Sequence, residues 1–306
     1  MKNVRRMKVA IVGAGRVGMS LGKLLVEAGE NIVAVVSRSR ASAHHGGRFL
    51  RCKNCGTDLA SIPPETDLIY LTVPHGAVEE VARSISSLET LRFRKLAVCH
   101  ASGMLTAEAL APLAVRGATV FSFHPLQTFP RDFQPRDIVE SARGITYGVD
   151  GTRRGVRMAR LLARKLGGRV VEIPPHMRVF YHAACVLASN HVTAMMAILD
   201  EMYRQLQPGK SDFFRVFKPI IMATLRNIER TSPAKALSGP VARGGVETVA
   251  SHFEALNLHA PWILPYFIRL SGETVRLAEA KGSLSPDKVE AFAALFESFQ
   301  RSHVTR

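Results

Sequence analysis

The sequence predicts an α/β fold class, with an N-terminal doubly wound parallel sheet and an all-α C-terminal domain. Two observations predict it. Short apolar strands alternate with helical patterns through the first half of the chain, and only helical patterns follow the last of these strands. The pattern changes at Pro174-Pro175, which divides the chain into a sheet domain, 1–175, and a helical domain, 176–306.

The predicted strands are short apolar runs, each followed by a turn or a helical pattern. They lie at 8–13, 31–37, 67–73, 95–100, 118–123, 144–149 and 169–176. The first helix, 16–29, ends at Gly29, where a C-cap residue belongs. This alternation is typical of a sheet with helices on both faces.

The helical domain begins with a long apolar helix near 178–206. Further helices are predicted near 211–231, 246–257, 259–281 and 285–303. The long helix includes residues 179–199, which contain no Lys, Arg, Asp or Glu and could cross a membrane. Because His182, Ser189 and Asn190 are costly in lipid, we expect instead a buried helix of a soluble domain and no membrane contact.

The chain has 306 residues and a formal net charge of +16, with 41 Lys and Arg against 25 Asp and Glu. Such a charge favours anionic partners, among them nucleotides and carboxylate substrates. We do not expect nucleic-acid binding, because no nucleic-acid motif accompanies the charge. The N-terminal apolar run is too short for a signal peptide, so a cytoplasmic location is the expectation.

Four cysteines in a chain of this length do not make a disulfide framework. Cys52 and Cys55 have the spacing of half a zinc ribbon or of a redox pair. However, no second pair follows them, and a redox pair belongs at a helix N-terminus. We therefore interpret both cysteines as structural.

The residues GAGRVG, Gly13 to Gly18, follow the first strand and open the first helix, which is the context that a dinucleotide-binding fingerprint requires. Gly13 permits the tight turn, Gly15 lets a pyrophosphate approach the backbone, and Gly18 lets the helix pack on the strand. Together with Arg16 and Val17, these glycines form the predicted phosphate site, because the helix N-terminus supplies N–H donors. The alternative is a glycine turn in some other Rossmann-like protein.

The end of the second strand indicates which dinucleotide binds. Sites for NAD usually place Asp or Glu there to bind the ribose 2′-hydroxyl, whereas this chain has Ser37, Arg38, Ser39 and Arg40. Hydroxyls and guanidiniums suit a 2′-phosphate, so the sequence predicts NADP(H). The alternative is that these are surface arginines on a loop.

Polar, Gly and Pro residues gather where the later strands end. These ends carry Thr72-Val73-Pro74, Ala101-Ser102 and His124. Because open α/β sheets bind ligands at this edge, we expect the first two groups to contact the cofactor and His124 to transfer a proton. His75, His100 and His124 could otherwise form a metal site, which we do not expect because no carboxylate or cysteine shares their spacing.

Further catalytic and substrate-binding candidates lie beyond these strand ends. His182 and Ser189 share one face of the long helix, with Asn190 nearby, and a polar stripe on an apolar helix needs partners or a ligand. Gln127 follows the strand that ends in a histidine, and Arg243, on a Gly/Pro-rich loop, could bind a substrate carboxylate or phosphate. The alternatives are satisfied core polar groups on the helix and a helix-end cap for Arg243.

Six stretches together resemble a bacterial family of provisionally described NADP-dependent oxidoreductases, which join a Rossmann-like domain to a helical domain of unknown function. The stretches are IVGAGRVG, LTVPHGAV, CHASG, FSFHPLQTF, YHAACVLASNHV and ALSGPVARGGVETVASHF. The likeness runs from about residue 7 to about residue 270. More distantly, the chain is similar to prephenate dehydrogenase, pyrroline-5-carboxylate reductase and the β-hydroxyacid dehydrogenases.

The resemblance implies roles for particular residues. In prephenate dehydrogenases a His-Pro run carries a catalytic histidine, which implies a catalytic or substrate-orienting role for His124. The long helix would correspond to the one that carries a catalytic Lys and Asn in β-hydroxyacid dehydrogenases. Here Asn190 is present without the lysine, which argues against the hydroxyacid reaction. The family usually has Asp where this chain has Gly245.

These features predict an NADP(H)-dependent oxidoreductase that transfers a hydride to or from a small anionic carbonyl, imine or hydroxy substrate. The alternatives are a non-catalytic NADP(H)-binding sensor or regulatory protein and a deazaflavin-linked NADP oxidoreductase. Long apolar helices in the C-terminal half of a chain often bury area against a second copy, and the resemblance implies a dimer. We therefore expect a homodimer.

Overall fold

In the computed structural model, which describes residues 6–130, 132 and 135–304, the chain forms two compact units that divide between Ser189 and Asn190. The sequence places the boundary earlier, at 175/176, before the long helix. The first unit keeps the start of that helix because Arg178 forms an ion pair with Asp150 of the sheet, and both side chains are almost fully buried.

The first unit is built on an eight-stranded sheet. The strands are β1 Lys8–Val12, β2 Asn31–Val36, β3 Cys55–Gly56, β4 Leu68–Leu71, β5 Ala97–His100, β6 Thr119–Pro125, β7 Thr146–Gly151 and β8 Arg169–Glu172. Their order in the sheet is β3-β2-β1-β4-β5-β6-β7-β8. The order reverses between β1 and β4, which is the arrangement of a doubly wound Rossmann-like sheet.

The sheet differs from the prediction in two details. β1 to β6 are parallel, but β7 pairs with β6 in the antiparallel direction, and β8 runs parallel to β7. The sheet is therefore mixed. The two-residue strand β3 carries too short an apolar pattern to be predicted from sequence.

Helices cover both faces of this sheet. They are α1 Arg16–Glu27, α2 Arg40–Leu50, α3 Val78–Ser86, α4 Ala111–Val115, α5 Pro135–Ser141 and α6 Arg153–Lys165. One core cluster includes Leu21 and Leu25 of α1 and Leu162 of α6, and the cluster on the other face includes Ala82 of α3. Two separate cores on one sheet are the expected result of helices alternating between its faces.

The remaining helices begin with α7 Arg178–Val186, which belongs to the first unit. A π-helical turn, Leu187–His191, joins it to α8 Val192–Leu206. The second unit continues with α9 Phe213–Arg230, α10 Pro233–Ala236, α11 Val246–His259, α12 Leu264–Ala280 and α13 Pro286–Val304. Its core centres on Phe253, whose ring contacts the rings of Phe267 and Phe299.

The expectation that the long helix is buried is wrong for the single chain. The stretch Pro175–Leu206 is long and apolar enough to cross a membrane, and no residue of its most apolar 18-residue window, with a mean hydropathy of 1.4, is buried. Phe180 and Leu187, for example, are 70% and 62% exposed. Apolar composition alone does not show whether other residues of the same chain cover a helix. In this chain they leave most of this stretch exposed.

Candidate functional site

The glycine-rich loop connects β1 to α1 and is held closely against β2 and β4. Gly13 has φ +107°, a conformation that favours glycine, and its N–H donates to Val36 O at 2.7 Å. The Thr72 hydroxyl donates to Gly13 O at 2.6 Å. A Cβ on Gly13 would lie 2.7 Å from the Thr72 carbonyl carbon, and a Cβ on Gly18 would clash with Gly13 O. The fold itself therefore requires both of these glycines.

Gly15 is different, because a Cβ there would meet nothing within 4 Å. It is the N-cap of α1, and its side of the helix N-terminus is open. Arg16 and Val17 follow in the first helical turn, and Arg16 Nη1 donates to Pro130 O at 2.8 Å. The open space lies at the start of α1, where the backbone N–H groups and the positive end of the helix dipole together suit a pyrophosphate.

The loop after β2 leads directly into α2. The hydroxyl of Ser39 accepts the Ser42 N–H at 3.2 Å and so caps the helix, while Arg38 and Arg40 are exposed. The Ser37 N–H donates to Gly56 O at 3.0 Å, which fixes the start of the loop on β3. The loop therefore presents guanidiniums beside a helix N-terminus, without a carboxylate in its sequence.

The other strand ends lie side by side at the same edge. Leu71 pairs with Val12 on one side and with His100 on the other, and His100 pairs with Ser122. Val12 and Ser122, at the two ends of this row, are thus three interstrand spacings apart, about 14 Å. Thr72-Val73-Pro74 and Ala101-Ser102 follow these paired positions, between the glycine loop and His124.

His100 holds the loop that follows β5. Its Nε2 lies 2.9 Å from Thr106 O, and the Ser102 N–H donates to its Nδ1 at 3.2 Å. These two bonds assign the neutral Nε2–H tautomer. Burial lowers the pKa of His100 to about 4, so the ring stays neutral near pH 7. His100 therefore shapes the edge of the site rather than exchanging protons there.

His124 lies at the end of β6, half-buried, with both ring nitrogens close to other groups. Its Nδ1 lies 2.9 Å from the Tyr181 hydroxyl oxygen, and the ring of His182 is 6.4 Å away between centroids. A Cβ on Gly103 would lie 2.9 Å from His124 Nε2, so only glycine leaves that nitrogen uncrowded. A Cβ on Gly148, the β7 residue paired with His124, would clash with the Tyr181 hydroxyl.

The surroundings of His124 keep its imidazole neutral. Burial, and after it the positive charge of Arg178, lowers the pKa of His124 to about 4. Burial also raises the pKa of Tyr181 above its usual value. The pair is thus a neutral imidazole beside a neutral phenol, which can accept or share a proton.

The positive charge beside this pair belongs to Arg178 and is balanced by Asp150. The Arg178 side chain is 1% exposed, its Nη1 lies 3.1 Å from Asp150 Oδ2, and its Nη2 donates to Ser102 O at 2.9 Å. Asp150 also accepts the Ser122 hydroxyl and the Ala107 N–H, each at 2.6 Å. One buried carboxylate therefore joins β6, the loop after β5 and α7.

Sequence reasoning missed Arg178 and Tyr181. The available signal was that Arg178 is the cation directly preceding a 21-residue stretch without charge, 179–199. A charge at the start of an apolar helix would ordinarily be placed in solvent. Only the position of the partner, Asp150, 28 residues earlier in the chain, shows that it is buried.

The structure brings His182 close to His124 but gives Gln127 a local role. Gln127 Nε2 donates to Ser141 O at 2.6 Å, and its Oε1 accepts the Thr128 N–H at 2.8 Å. Because both ends of the amide support the chain after β6, we assign it no substrate contact. Ser189 and Asn190 lie in the π-helical turn at the end of the first unit and the start of the second.

Arg243 lies in the second unit, at the end of the short 3-10 helix Val241–Arg243. Gly244 follows with φ +70°, and Gly245 is the N-cap of α11 without a side-chain cap. The Asp that the resembled family has at this position would accept a first-turn N–H, which is the usual role of an N-cap carboxylate. The structure thus gives a helix-capping explanation for the residue that this chain lacks.

No cluster of three or more His, Cys, Asp or Glu side chains within residues 6–130, 132 and 135–304 is arranged to hold a metal ion. The strand-end histidines are instead engaged with their neighbours. His100 is bonded to backbone groups and His124 to a phenol. These two histidines can take part in hydrogen bonding, and His124 can also take part in proton transfer.

Two family models match the chain. Residues 2–125 match a Rossmann-like domain, and residues 145–274 match a domain of unknown function, DUF2520. No curated protein matches the chain at a significant level.

Several solved structures share the fold over most of the chain. A Bacteroides fragilis protein, provisionally named an NADP oxidoreductase, is 22% identical with a TM-score of 0.67, covering 89% of this chain and 98% of its own. A Thermotoga maritima protein is 20% identical with a TM-score of 0.70, covering 89% and 99%. Prephenate dehydrogenase from Aquifex aeolicus, solved with hydroxyphenyl propionate and NAD+, is 18% identical with a TM-score of 0.54, covering 88% and 96%.

At these identities the likeness to solved structures establishes the fold, and the two domain matches show which domains the chain contains. The resemblance inferred from the six sequence stretches is confirmed. The chain belongs to the proteins that join a Rossmann-like domain to the DUF2520 domain.

Proposed function

We propose that this protein is an NADP(H)-dependent oxidoreductase that transfers a hydride between its cofactor and a small anionic carbonyl, imine or hydroxy substrate. The observation that carries the proposal is the neutral His124–Tyr181 pair at the same sheet edge as the open glycine loop. A dinucleotide site and a proton-transferring group at one edge are the two components that such a reaction needs.

The described residues fit the cofactor. The diphosphate would lie over Gly15, where there is open space, against the first N–H groups of α1. The 2′-phosphate would be bound by Arg38 and the N-terminus of α2, and the chain from Thr72 to Ser102 along the edge would contact the remainder. When bound, the cofactor supplies or accepts the hydride.

His124 would handle the proton. With its pKa near 4, only about one ring in a thousand is protonated at pH 7, so the ring serves better as a base than as an acid. A neutral imidazole can accept the proton of a hydroxy or amine substrate as its carbon loses the hydride. In the opposite direction, its N–H can donate a hydrogen bond to a carbonyl oxygen. Tyr181 would hold the ring in the required orientation.

The substrate would be small and anionic, which agrees with the net charge of +16. His182 is near enough to His124 to contact the same molecule. Ser189, Asn190 and Arg243 stay predictions from the sequence.

The cofactor proposal is tested by titrating the protein with NADPH and NADH while following nicotinamide fluorescence. We expect tighter binding of NADPH, and a 10- to 100-fold weaker Kd for NADPH in Arg38→Ala, because one charge-assisted hydrogen bond contributes about 1.5–3 kcal/mol. The control is Arg83→Ala, another exposed arginine, on α3, which should not change either Kd. Equal binding of the two cofactors by the native protein would refute the NADP(H) preference.

The loop geometry gives a separate prediction. Gly15→Ala should fold with a Tm within a few degrees of the native value, since a Cβ there meets nothing within 4 Å, but it should bind NADPH at least tenfold more weakly because the methyl occupies the space of the diphosphate. Gly18→Ala should instead lower the Tm, because its methyl clashes with Gly13 O. If Gly15→Ala binds NADPH as tightly as the native protein does, the diphosphate does not lie over Gly15.

We further propose that the protein is a homodimer through an apolar face on α9. None of the residues of α9, Phe213–Arg230, is buried. Its exposed large apolar side chains are Phe214, Val216, Ile220, Met222, Leu225 and Ile228. Large apolar side chains exposed together on one helix, here called the α9 face, mark an interaction surface. Lipid is a poor partner because Arg215, Lys218 and Arg226 lie on the same helix, so a second copy is the partner that we propose.

The dimer is tested by sedimentation equilibrium at micromolar concentration. We expect a dimer for the native protein and a monomer for Ile220→Asp, which would bury an unpaired carboxylate in the interface. Leu161→Asp, at an exposed leucine of α6 outside this face, is the matched control and should stay dimeric. A native monomer, or a dimer that survives Ile220→Asp, would contradict the proposed face.

A further inference from the structure

Two thiols lie beside α2, apart from the groups that the proposed reaction uses. α2 ends at Leu50, and Arg51 adopts a left-handed conformation with φ 57°. Cys52 follows in the loop that enters β3, and Cys55 is the first residue of that strand. A Cβ on Gly47 would lie 2.8 Å from Cys55 Sγ and 2.9 Å from Cys52 O. The backbone of α2 therefore packs directly on both cysteine residues.

The two thiols have different environments. Cys55 is half-buried, and its Sγ lies 3.4 Å from Nδ1 of His44 on α2. Cys52 is only 8% exposed and donates to Asn54 O at 3.3 Å, and burial raises the pKa of its thiol. An adjacent imidazole can accept the proton of a thiol, which then attacks as a nucleophile. A buried thiol stays protonated and reacts only when a disulfide forms beside it. Cys55 is thus the nucleophile of the pair.

The surface around Cys55 is a basic recess of about 710 Å³. Its lining includes His44, Arg48, Arg51 and Lys53, and no carboxylate occurs among the described residues that line it. Positive charge around a thiol concentrates anionic reagents near it. The charge of this recess is complementary to small disulfides that carry carboxylates. Oxidised glutathione is a readily available example.

We propose that Cys55 is a thiol-modification site that reacts with an anionic low-molecular-weight disulfide, and that Cys52 is its resolving thiol. His44 Nδ1 accepts the proton of Cys55, and the Cys55 thiolate attacks one sulfur of the small disulfide. The departing thiolate takes the proton from His44, which leaves a mixed disulfide on Cys55.

Cys52 completes the reaction. Its sulfur attacks the Cys55 sulfur of the mixed disulfide, which forms the Cys52–Cys55 bond and releases the second small thiol together with the Cys52 proton. Two protein thiols are oxidised and one small disulfide is reduced to two thiols. Electrons and protons therefore balance without a further oxidant.

The experiment incubates the reduced full-length protein with oxidised glutathione near neutral pH and follows free thiols and intact mass over time. We expect the native protein to lose two thiols without retaining glutathione, and Cys52→Ser to stop with one glutathione attached. Cys55→Ser should lose this rapid reaction, and His44→Gln should slow it on the order of tenfold. Cys185→Ser, at another half-buried thiol, is the matched control and should react like the native protein.

A second comparison tests the recess itself. The uncharged 2-hydroxyethyl disulfide should react with the native protein more slowly than oxidised glutathione does. In Arg48→Ala the two reaction rates should be closer together, because the recess attracts the anion less strongly. Unaltered circular dichroism shows that each variant is folded. The proposal is overturned if Cys55→Ser is modified at the native rate, or if Cys52→Ser fails to accumulate the mixed disulfide.

Discussion

Asp150→Ala is expected to lower the free energy of unfolding by about 3–5 kcal/mol, because it leaves the buried guanidinium of Arg178 without its counter-charge. The two side chains are 3% and 1% exposed, so water cannot replace the lost partner. The Ser122 hydroxyl and the Ala107 N–H lose their acceptor at the same time. Urea unfolding at pH 7, followed by circular dichroism, measures the change.

The same experiment separates a buried charge from an ordinary surface pair. Glu273→Ala breaks the exposed Arg276–Glu273 pair and should cost at most about 1 kcal/mol. The double variant Asp150→Asn, Arg178→Met removes both charges and should recover a large part of the loss, since the penalty comes from an uncompensated charge. If Asp150→Ala costs no more than Glu273→Ala, the ion pair does not hold α7 on the sheet.

The sheet and the glycine loop could be predicted because their signals are local. Each strand is a short apolar run that ends in Gly, Pro or polar residues, and the turn at Gly13 depends on residues adjacent in sequence or in the next strands. The direction of β7 could not be predicted, because period-two apolar patterns are the same in parallel and antiparallel strands. The two residues of β3 give no pattern at all.

The catalytic candidates were predicted less completely, because their partners are distant in the chain. His124 was found from its place at a strand end, but its bond to Tyr181 joins residues 57 positions apart. The predicted polar stripe assumed a uniform α-helix, whereas Ser189 and Asn190 lie in the π-helical turn at 187–191, which changes their phase relative to His182. Nor does composition reveal whether a second copy, rather than the same chain, covers α9.

His124→Asn is expected to lower kcat by about 10²–10⁴ once a substrate is identified, because it removes the proton-transferring group. Tyr181→Phe should lower kcat about tenfold with little change in KM, because the ring loses the hydroxyl that orients its Nδ1. The matched control is Tyr203→Phe, which also removes a hydrogen-bonded hydroxyl, here one bound to Asp212, and should leave kcat unchanged. Equal kcat for Tyr181→Phe and the native protein would remove Tyr181 from the mechanism.

The pH dependence of His124 tests the same pair, and its NMR titration needs no substrate. A histidine whose folded pKa is about 4 remains neutral from neutral pH down to that value, so oxidative turnover should be constant near pH 6–7 and fall only as the pH approaches 4. A histidine with the ordinary pKa of about 6.5 would already lose half its base form at pH 6.5. NMR titration of the histidine ring signals, with His124→Asn to assign the resonance, distinguishes these cases. A midpoint near 6.5 would mean that His124 is solvated and can act as a general acid, which would favour reduction as the direction of the proposed reaction.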